Sequence, residues 1–162
     1  MLSPDRHRPP LPHVMDVSFD VEATPVAQPR ARSQSLGGRP YVDRTHPIYH
    51  FKSRVQEECR RVYGHKPHYG PVVLAMQFLM PRPKIHGKKR RRGREPHVCR
   101  PDCDNLAKGV MDALNGLLWV DDQQVFCLSV VKLYCEEARH PGVVVEVELY
   151  DGHQPGHNYE VN

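Results

Sequence analysis

The stretch RPDCDNLAKGVMDALNGLLWVDDQQV, Arg100–Val125, decides how this chain is read. It holds five aspartates and one lysine among apolar residues. Leu106, Val110 and Leu114 step by four, which predicts a helix from about Asp104 to Leu114 with one apolar face. Asn115-Gly116 stops it. Asp104, Lys108 and Asp112 step by four as well and share the opposite, polar face. Ahead of the helix, Asp102 and Asp104 stand two apart, and in extended backbone both carboxylates present to one side. Beyond it, LLWV leads to Asp121 and Asp122. Neighbours in extended backbone point to opposite faces, so one of this pair is expected to join the first two carboxylates.

Outward from this stretch the chain alternates between strand and helix signals. DVSFDVEA (16–23) places Val17, Phe19, Val21 and Ala23 on one face, the mark of a half-buried strand. From His46 to about Tyr63, Ile48, Phe51, Val55, Cys59 and Val62 recur at helical spacing, with Pro47 suited to the first turn. PVVLAMQFLM (71–80) reads as a second strand and QQVFCLSVVKLYC (123–135) as a third, both nearly continuous in apolar character. VVVEVELY (143–150) alternates again, and EEARHPG before it is a plausible hairpin connection to the third strand. The expected architecture is α+β: a small mixed sheet of about four to five strands with two main helices packed on it. The folded part spans 16–150, between a proline-rich tail at 1–15 and a polar tail at 151–162, both read as flexible.

Composition bounds the function. A chain of 162 residues, 39% hydrophobic and 26% charged, supports one globular domain rather than two or a disordered segment. No apolar run reaches the roughly 18–20 residues that span a bilayer, and the N-terminus lacks a secretory h-region. Five cysteines at irregular spacing read as free thiols in a reducing compartment. The net charge of +4 is a weak hint of an anionic partner; its distribution says more. KKRRRGRE supplies Lys88, Lys89, Arg90, Arg91, Arg92 and Arg94, and Arg100 follows them. Arg30 and Arg32, in QPRARS, offer a second basic loop. A charge run is often only a solvated loop. Set within a dozen residues of a carboxylate cluster, it fits a polyanionic substrate instead. No aromatic residues interleave with it and no helix has the look of a groove reader, so phosphate and shape recognition are expected.

Three carboxylates repel one another unless a cation neutralises them. Hard oxygen ligands suit Mg²⁺ or Mn²⁺, which would activate water and stabilise charge on a phosphodiester, with Lys108 beside the reacting phosphate. The plainer reading makes Asp104 a helix-dipole acid, Asp121-Asp122 a polar turn and Asp112 the partner of Lys108.

The motif RPDCDNLAKGVMDAL followed by WVDDQQV resembles the RusA-type Holliday junction resolvases of bacteria and their phages. The similarity is densest across Arg100–Lys132 and extends more loosely over Asp16–Tyr150. It implies a homodimeric, Mg²⁺-dependent endonuclease, with Mn²⁺ as a substitute, that nicks two opposed strands of a four-way DNA junction symmetrically, in a bacterial or phage-infected cytoplasm. It also implies Asp102, Asp104 and Asp122 as the catalytic, metal-holding carboxylates and Lys108 as the functional lysine. It assigns no chemistry to Asp112. The 81–97 loop is longer and more basic than the family pattern, and the N-terminal tail looks additional; both bear on junction selectivity.

His97, Cys99 and Cys103 form a loose H-x-C-x3-C cluster that zinc would need a fourth ligand such as Cys135 to use. Incidental thiols are the better reading. Trp119 is expected in the core or an interface rather than on DNA. Two rivals to the resolvase stand: a nuclease for other branched DNA, and a non-catalytic basic DNA-binding module in which the aspartates are only caps.

Overall fold

The computed structural model describes residues 12–29, 43–83, 95–136 and 139–152. The elements follow the order strand, helix, strand, helix, strand, strand: β1 (His13–Val21), α1 (Ile48–Val62), β2 (Val72–Met80), α2 (Cys103–Leu114), β3 (Val125–Tyr134) and β4 (Gly142–Tyr150). A single 3₁₀ turn, Asp122–Gln124, leads into β3. The four strands make one mixed sheet, as the alternation of signals predicts, in the order β1-β4-β2-β3. Its inner pairs, β1 with β4 and β4 with β2, are antiparallel, whereas β2 and β3 are parallel.

The parallel pair needs a crossover, and α2 supplies it. This arrangement overturns the expected hairpin between the last two strands. β4 inserts between β1 and β2, and β3 is left at the edge beside β2 alone. The reason lies in burial. Val143, Val145, Val147 and Leu149 of β4 are all buried, so its alternation belongs to a central strand covered by helices on one face. β3, the more continuously apolar segment, leaves Phe126, Leu128 and Val131 exposed.

β1 starts at His13, three residues ahead of the alternation at Asp16, because His13 and Met15 still find partners in Tyr150 and Leu149. Val17, Phe19 and Val21 are buried as expected. Ile48, Phe51, Val55 and Cys59 form the buried stripe of α1, and Leu106, Val110 and Leu114 that of α2. Each such side chain withdrawn from water contributes about 1.5–3 kcal/mol before the entropy of ordering is set against it. Both stripes meet the even-numbered side chains of β2, from Val72 to Met80, in one core. Trp119 is fully buried there, and its Nε1–H donates to Asn115 Oδ1 at 2.7 Å.

Two glycines shape α2. Gly116 follows it at φ +71°, the left-handed backbone that ends helices. At Gly109 an added Cβ would stand 3.3 Å from both Ile48 Cδ1 and the Val26 carbonyl. The bare backbone there lets the 24–29 segment cross α2, where Gln28 N donates to Asn105 O at 2.9 Å. No described helix is long and apolar enough to cross a membrane.

Candidate active site

Asp102 is the N-cap of α2 in extended backbone (φ −74°, ψ 151°), yet its carboxylate makes no capping hydrogen bond. An aspartate at this position ordinarily turns its oxygens onto the first amide groups of the helix. Here they are left to solvent, as are those of Asp104 in the first turn. Lys108, one turn further along, is exposed as well. Two carboxylates and an ammonium thus share the open N-terminal end of α2, where the helix dipole favours negative charge.

The approach to Asp102 is held from β3. Lys132 Nζ donates to the carbonyl oxygens of Cys99 and Pro101, each at 2.5 Å. His97 N donates to Lys132 O at 3.0 Å, and Tyr134 N donates to Glu95 O at 2.8 Å. The described end of the 80–100 segment, whose sequence reads as an irregular surface loop, therefore runs along the C-terminal half of β3. Burial and the nearby Lys132 ammonium push the His97 imidazole below its usual value. His97, Cys99 and Cys103 do not converge with Cys135 on a metal geometry: no described group of three or more His, Cys, Asp or Glu side chains does.

Asp121 and Asp122 lie elsewhere. They follow the C-terminus of α2, and α2, at 12 residues, is roughly 18 Å long. Trp119 and Gly116 fold the 115–121 loop back on itself at that end, through Gly116 N to Trp119 O at 2.7 Å. Val120 N donates to His68 O, just ahead of β2, and Val125 pairs with Val72 at the beginning of the sheet. Lys132, which anchors the approach to Asp102, is seven residues further along β3, about 23 Å in extended backbone. One protomer therefore brings together Asp102, Asp104 and Lys108, and sets Asp122 at the opposite end of α2.

The two members of the Asp121-Asp122 pair differ in employment. Asp121 caps the 3₁₀ turn: its Oδ1 accepts from Gln123 N at 3.0 Å. Asp122 makes no such cap and is half-buried. Gln124 completes a capping box, its Oε1 accepting from both Val120 N and Asp121 N at 2.9 Å. Its Nε2 donates to His68 O and Gly70 O at 2.9 and 2.8 Å. Sequence reasoning passed over Gln124, although D-x-x-Q before a strand is a legible capping signal. It also passed over Lys132 and Lys52, whose partners lie far away in the chain and leave no local trace. Lys52 Nζ meets Asp112 Oδ2 at 3.1 Å, so Asp112 ties α1 to α2 and is not the partner of Lys108.

Arg100 is exposed beside Asp102. Arg30, Arg32, Lys88, Lys89, Arg90, Arg91, Arg92 and Arg94, expected to contact DNA, lie outside the described residues. The described Glu95 lies beside β3, and the described segment that ends at Pro29 crosses α2 at Gly109.

Residues 22–148 match the family model for Endodeoxyribonuclease RusA, most of the chain. The chain is also 35% identical over 140 residues to a Bacillus subtilis (strain 168) protein named "Uncharacterized protein YqaN", covering 81% of this chain and 96% of that one. The chain belongs to the RusA family of endodeoxyribonucleases, the Holliday junction resolvases.

Proposed function

We propose that this endodeoxyribonuclease resolves four-way junctions as a homodimer, in a Mg²⁺-dependent reaction that makes paired symmetrical nicks, with Mn²⁺ able to substitute. The observation that carries the reading is the pair of uncapped, exposed carboxylates Asp102 and Asp104 with Lys108 one turn along the same helix. Mg²⁺ is commonly held by one or two carboxylates together with water and substrate phosphate, and this pair fits such a site. The third family carboxylate, Asp122, does not reach it within one protomer.

When bound, the metal supplies Lewis acidity at the scissile phosphate and makes a bound water more acidic. The chain's own residues do the rest. Asp102 and Asp104 concentrate negative charge at one point. The Lys108 ammonium draws the scissile phosphate towards it and offsets the charge that develops there. Lys88, Lys89, Arg90, Arg91, Arg92 and Arg94, with Arg100, Arg30 and Arg32, hold flanking phosphates, which sets register without reading bases. A dimer with two-fold symmetry presents two such sites to the two opposed strands.

Cleavage of an end-labelled synthetic four-way junction, with and without Mg²⁺ and beside linear duplex and flap controls, tests this. Paired nicks abolished by EDTA, and lost in Asp102→Asn while junction binding persists, are the expected result. Binding without cutting in either metal would make the chain a basic DNA-binding module. Cutting of the flap alone would move the activity to other branched DNA.

A further inference from the structure

We infer that Tyr49, in the first turn of α1, stacks on a nucleobase left open at the branch of the DNA and so favours a junction over linear duplex. This rests on the reading of the chain as a junction resolvase acting at Asp102, Asp104 and Lys108. No Phe, Tyr or Trp lies between Met80 and Lys108, through the basic run and the carboxylate pair. The fold brings an aromatic ring to that region from another helix.

The register of the two helices places it. An added Cβ at Gly109 would stand 3.3 Å from Ile48 Cδ1, Lys52 Nζ meets Asp112 Oδ2 at 3.1 Å, and Gln56 Nε2 donates to Ala113 O at 3.1 Å. Rising positions in α1 thus meet rising positions in α2, so both N-termini face the same way. Positions three and four apart share a face of a helix. Tyr49 shares the face of Lys52 and Gln56, one turn nearer the N-terminus, and Lys108 stands one turn before Asp112. The Lys52–Asp112 contact therefore sets Tyr49 level with Lys108. Packed helix axes lie roughly 8–10 Å apart, about the rise of three nucleotides at ~3.4 Å each. A strand whose phosphate lies at Lys108 has bases within reach of Tyr49.

The ring is available for such a contact. Tyr49 is 48% exposed. Among the described residues its hydroxyl has no hydrogen-bond partner and its ring no aromatic neighbour. Other tyrosines are engaged: Tyr63 donates to Lys66 O, Tyr150 donates to Glu148, and Tyr134 packs against His97 and Arg82. Tyr69 is exposed as well, but it lies just ahead of β2, at the end of the sheet where Gln124 holds the Asp122 turn. The surface around Tyr49 tolerates phosphate: α1 has no acid in its first turn, Arg44 and His50 are exposed, and Asp43 Oδ1 is taken up by Thr45 N and Oγ1 at 2.9 and 2.8 Å. In linear duplex each base is stacked on both faces, whereas pairs bordering a branch have one face uncovered. Every base has such a face, so stacking on an aromatic side chain selects by structure and not by sequence.

Binding in EDTA tests this apart from the chemistry. Dissociation constants are measured by fluorescence anisotropy for a four-way junction and for a linear duplex of equal length. Tyr49→Ala is expected to lose about tenfold on the junction and nothing on the duplex, and Tyr49→Phe to match the wild type. The slope of junction affinity against salt should not change, because no phosphate contact is removed. Equal losses on both DNAs, or a Tyr49→Phe as weak as Tyr49→Ala, would overturn the stacking role. A wild type without preference for the junction would remove the junction reading and this inference with it; a preference that survives in Tyr49→Ala removes the inference alone. A second measurement uses the unaltered chain and is independent of any effect on folding. Junctions carrying 5-iododeoxyuridine at the branch, or at positions along the arms, are crosslinked by ultraviolet light and the protein is digested. The peptide holding Tyr49 should carry the nucleotide from branch positions only. Adducts from the arms, or none from the branch, would overturn the assignment.

Discussion

Lys132 on β3 fixes the chain one residue ahead of Asp102, its ammonium donating to the carbonyl oxygens of both Cys99 and Pro101 at 2.5 Å. The contact is a positioning one: the side chain reaches backbone, not the open carboxylate face. Hydrogen bonds to a charged donor contribute about 1.5–3 kcal/mol each when well sheltered, and this site is partly exposed, so the lower end applies. Lys132→Met keeps the aliphatic stem and removes the donor. Its junction-cleavage kcat should fall about tenfold, one factor of ten for each ~1.4 kcal/mol of misplaced geometry, with KM little changed. Lys132→Arg should recover part of the loss. A raised KM with kcat intact would instead make Lys132 a DNA contact.

Gln124 governs the other arm. One amide group joins Val120 N, Asp121 N, His68 O and Gly70 O, so it binds the turn carrying Asp122 to the start of β2. Gln124→Ala takes one partner from each of these four backbone groups, of which Val120 N and His68 O keep each other, a cost of roughly 1–3 kcal/mol. For a chain of this size that corresponds to a fall in Tm of about 3–10 °C. Cleavage should drop with it even well below the melting temperature, because Asp122 loses its support. Differential scanning calorimetry beside junction assays would check both; a stable, fully active variant would sink the clamp.

How much of this was legible in sequence depends on the range of the interaction concerned. The apolar stripe of α2, that of α1 from Ile48 to Cys59, the stop at Asn115-Gly116 and the strand at Val17, Phe19 and Val21 are local patterns and stand as read, whereas Val62, read into the α1 stripe, is exposed at the last residue of the helix. Strand order is not local. β4, with Glu146 and Glu148 in its alternation, reads as a half-wet strand and yet lies inside the sheet, because only one face of that sheet is covered by helices. β3 reads as more buried than β4 and is the edge. Its exposed Phe126, Leu128 and Val131 make apolar character a sign of a further contact rather than of the core. The candidate site divides in the same way. Asp102, Asp104 and Lys108 are adjacent through helix periodicity. The distance to Asp122 is set by α2 itself, and the segment expected to bring one of Asp121-Asp122 back to the first two carboxylates ends at the other end of the helix.

The Lys52–Asp112 contact links α1 to α2 at 3.1 Å, with both side chains about a quarter exposed or less. Gln56 reinforces it, its Nε2 donating to Ala113 O at 3.1 Å. A partly exposed ion pair contributes modestly, so a double-mutant cycle with Lys52→Met and Asp112→Asn should give a coupling of about 0.5–1 kcal/mol in chemical denaturation. Junction cleavage should be nearly unchanged in Asp112→Asn, in contrast to Asp102→Asn and Asp104→Asn. A loss of cleavage comparable to theirs would return Asp112 to the chemistry.

Cys59 provides a pH-dependent prediction far from the site. It is fully buried in the stripe of α1, and burial pushes its thiol up to about 11 from 9.0. Burial, with Cys59 beside it, also raises the Tyr63 hydroxyl. The folded state thus retains a proton that the unfolded chain gives up first. The associated stability is complete below pH 9 and is lost as the pH rises through about 11. Melting temperatures of the wild type should therefore decline between pH 9 and 11 more steeply than those of Cys59→Ala, which removes the titrating thiol at the cost of a small cavity and a lower starting Tm. In the folded protein at pH 8, thiol reagents should label exposed Cys99 readily and Cys59 only at the rate of unfolding. Parallel pH profiles for the two proteins, or rapid native labelling of Cys59, would show that the interior of α1 opens to water.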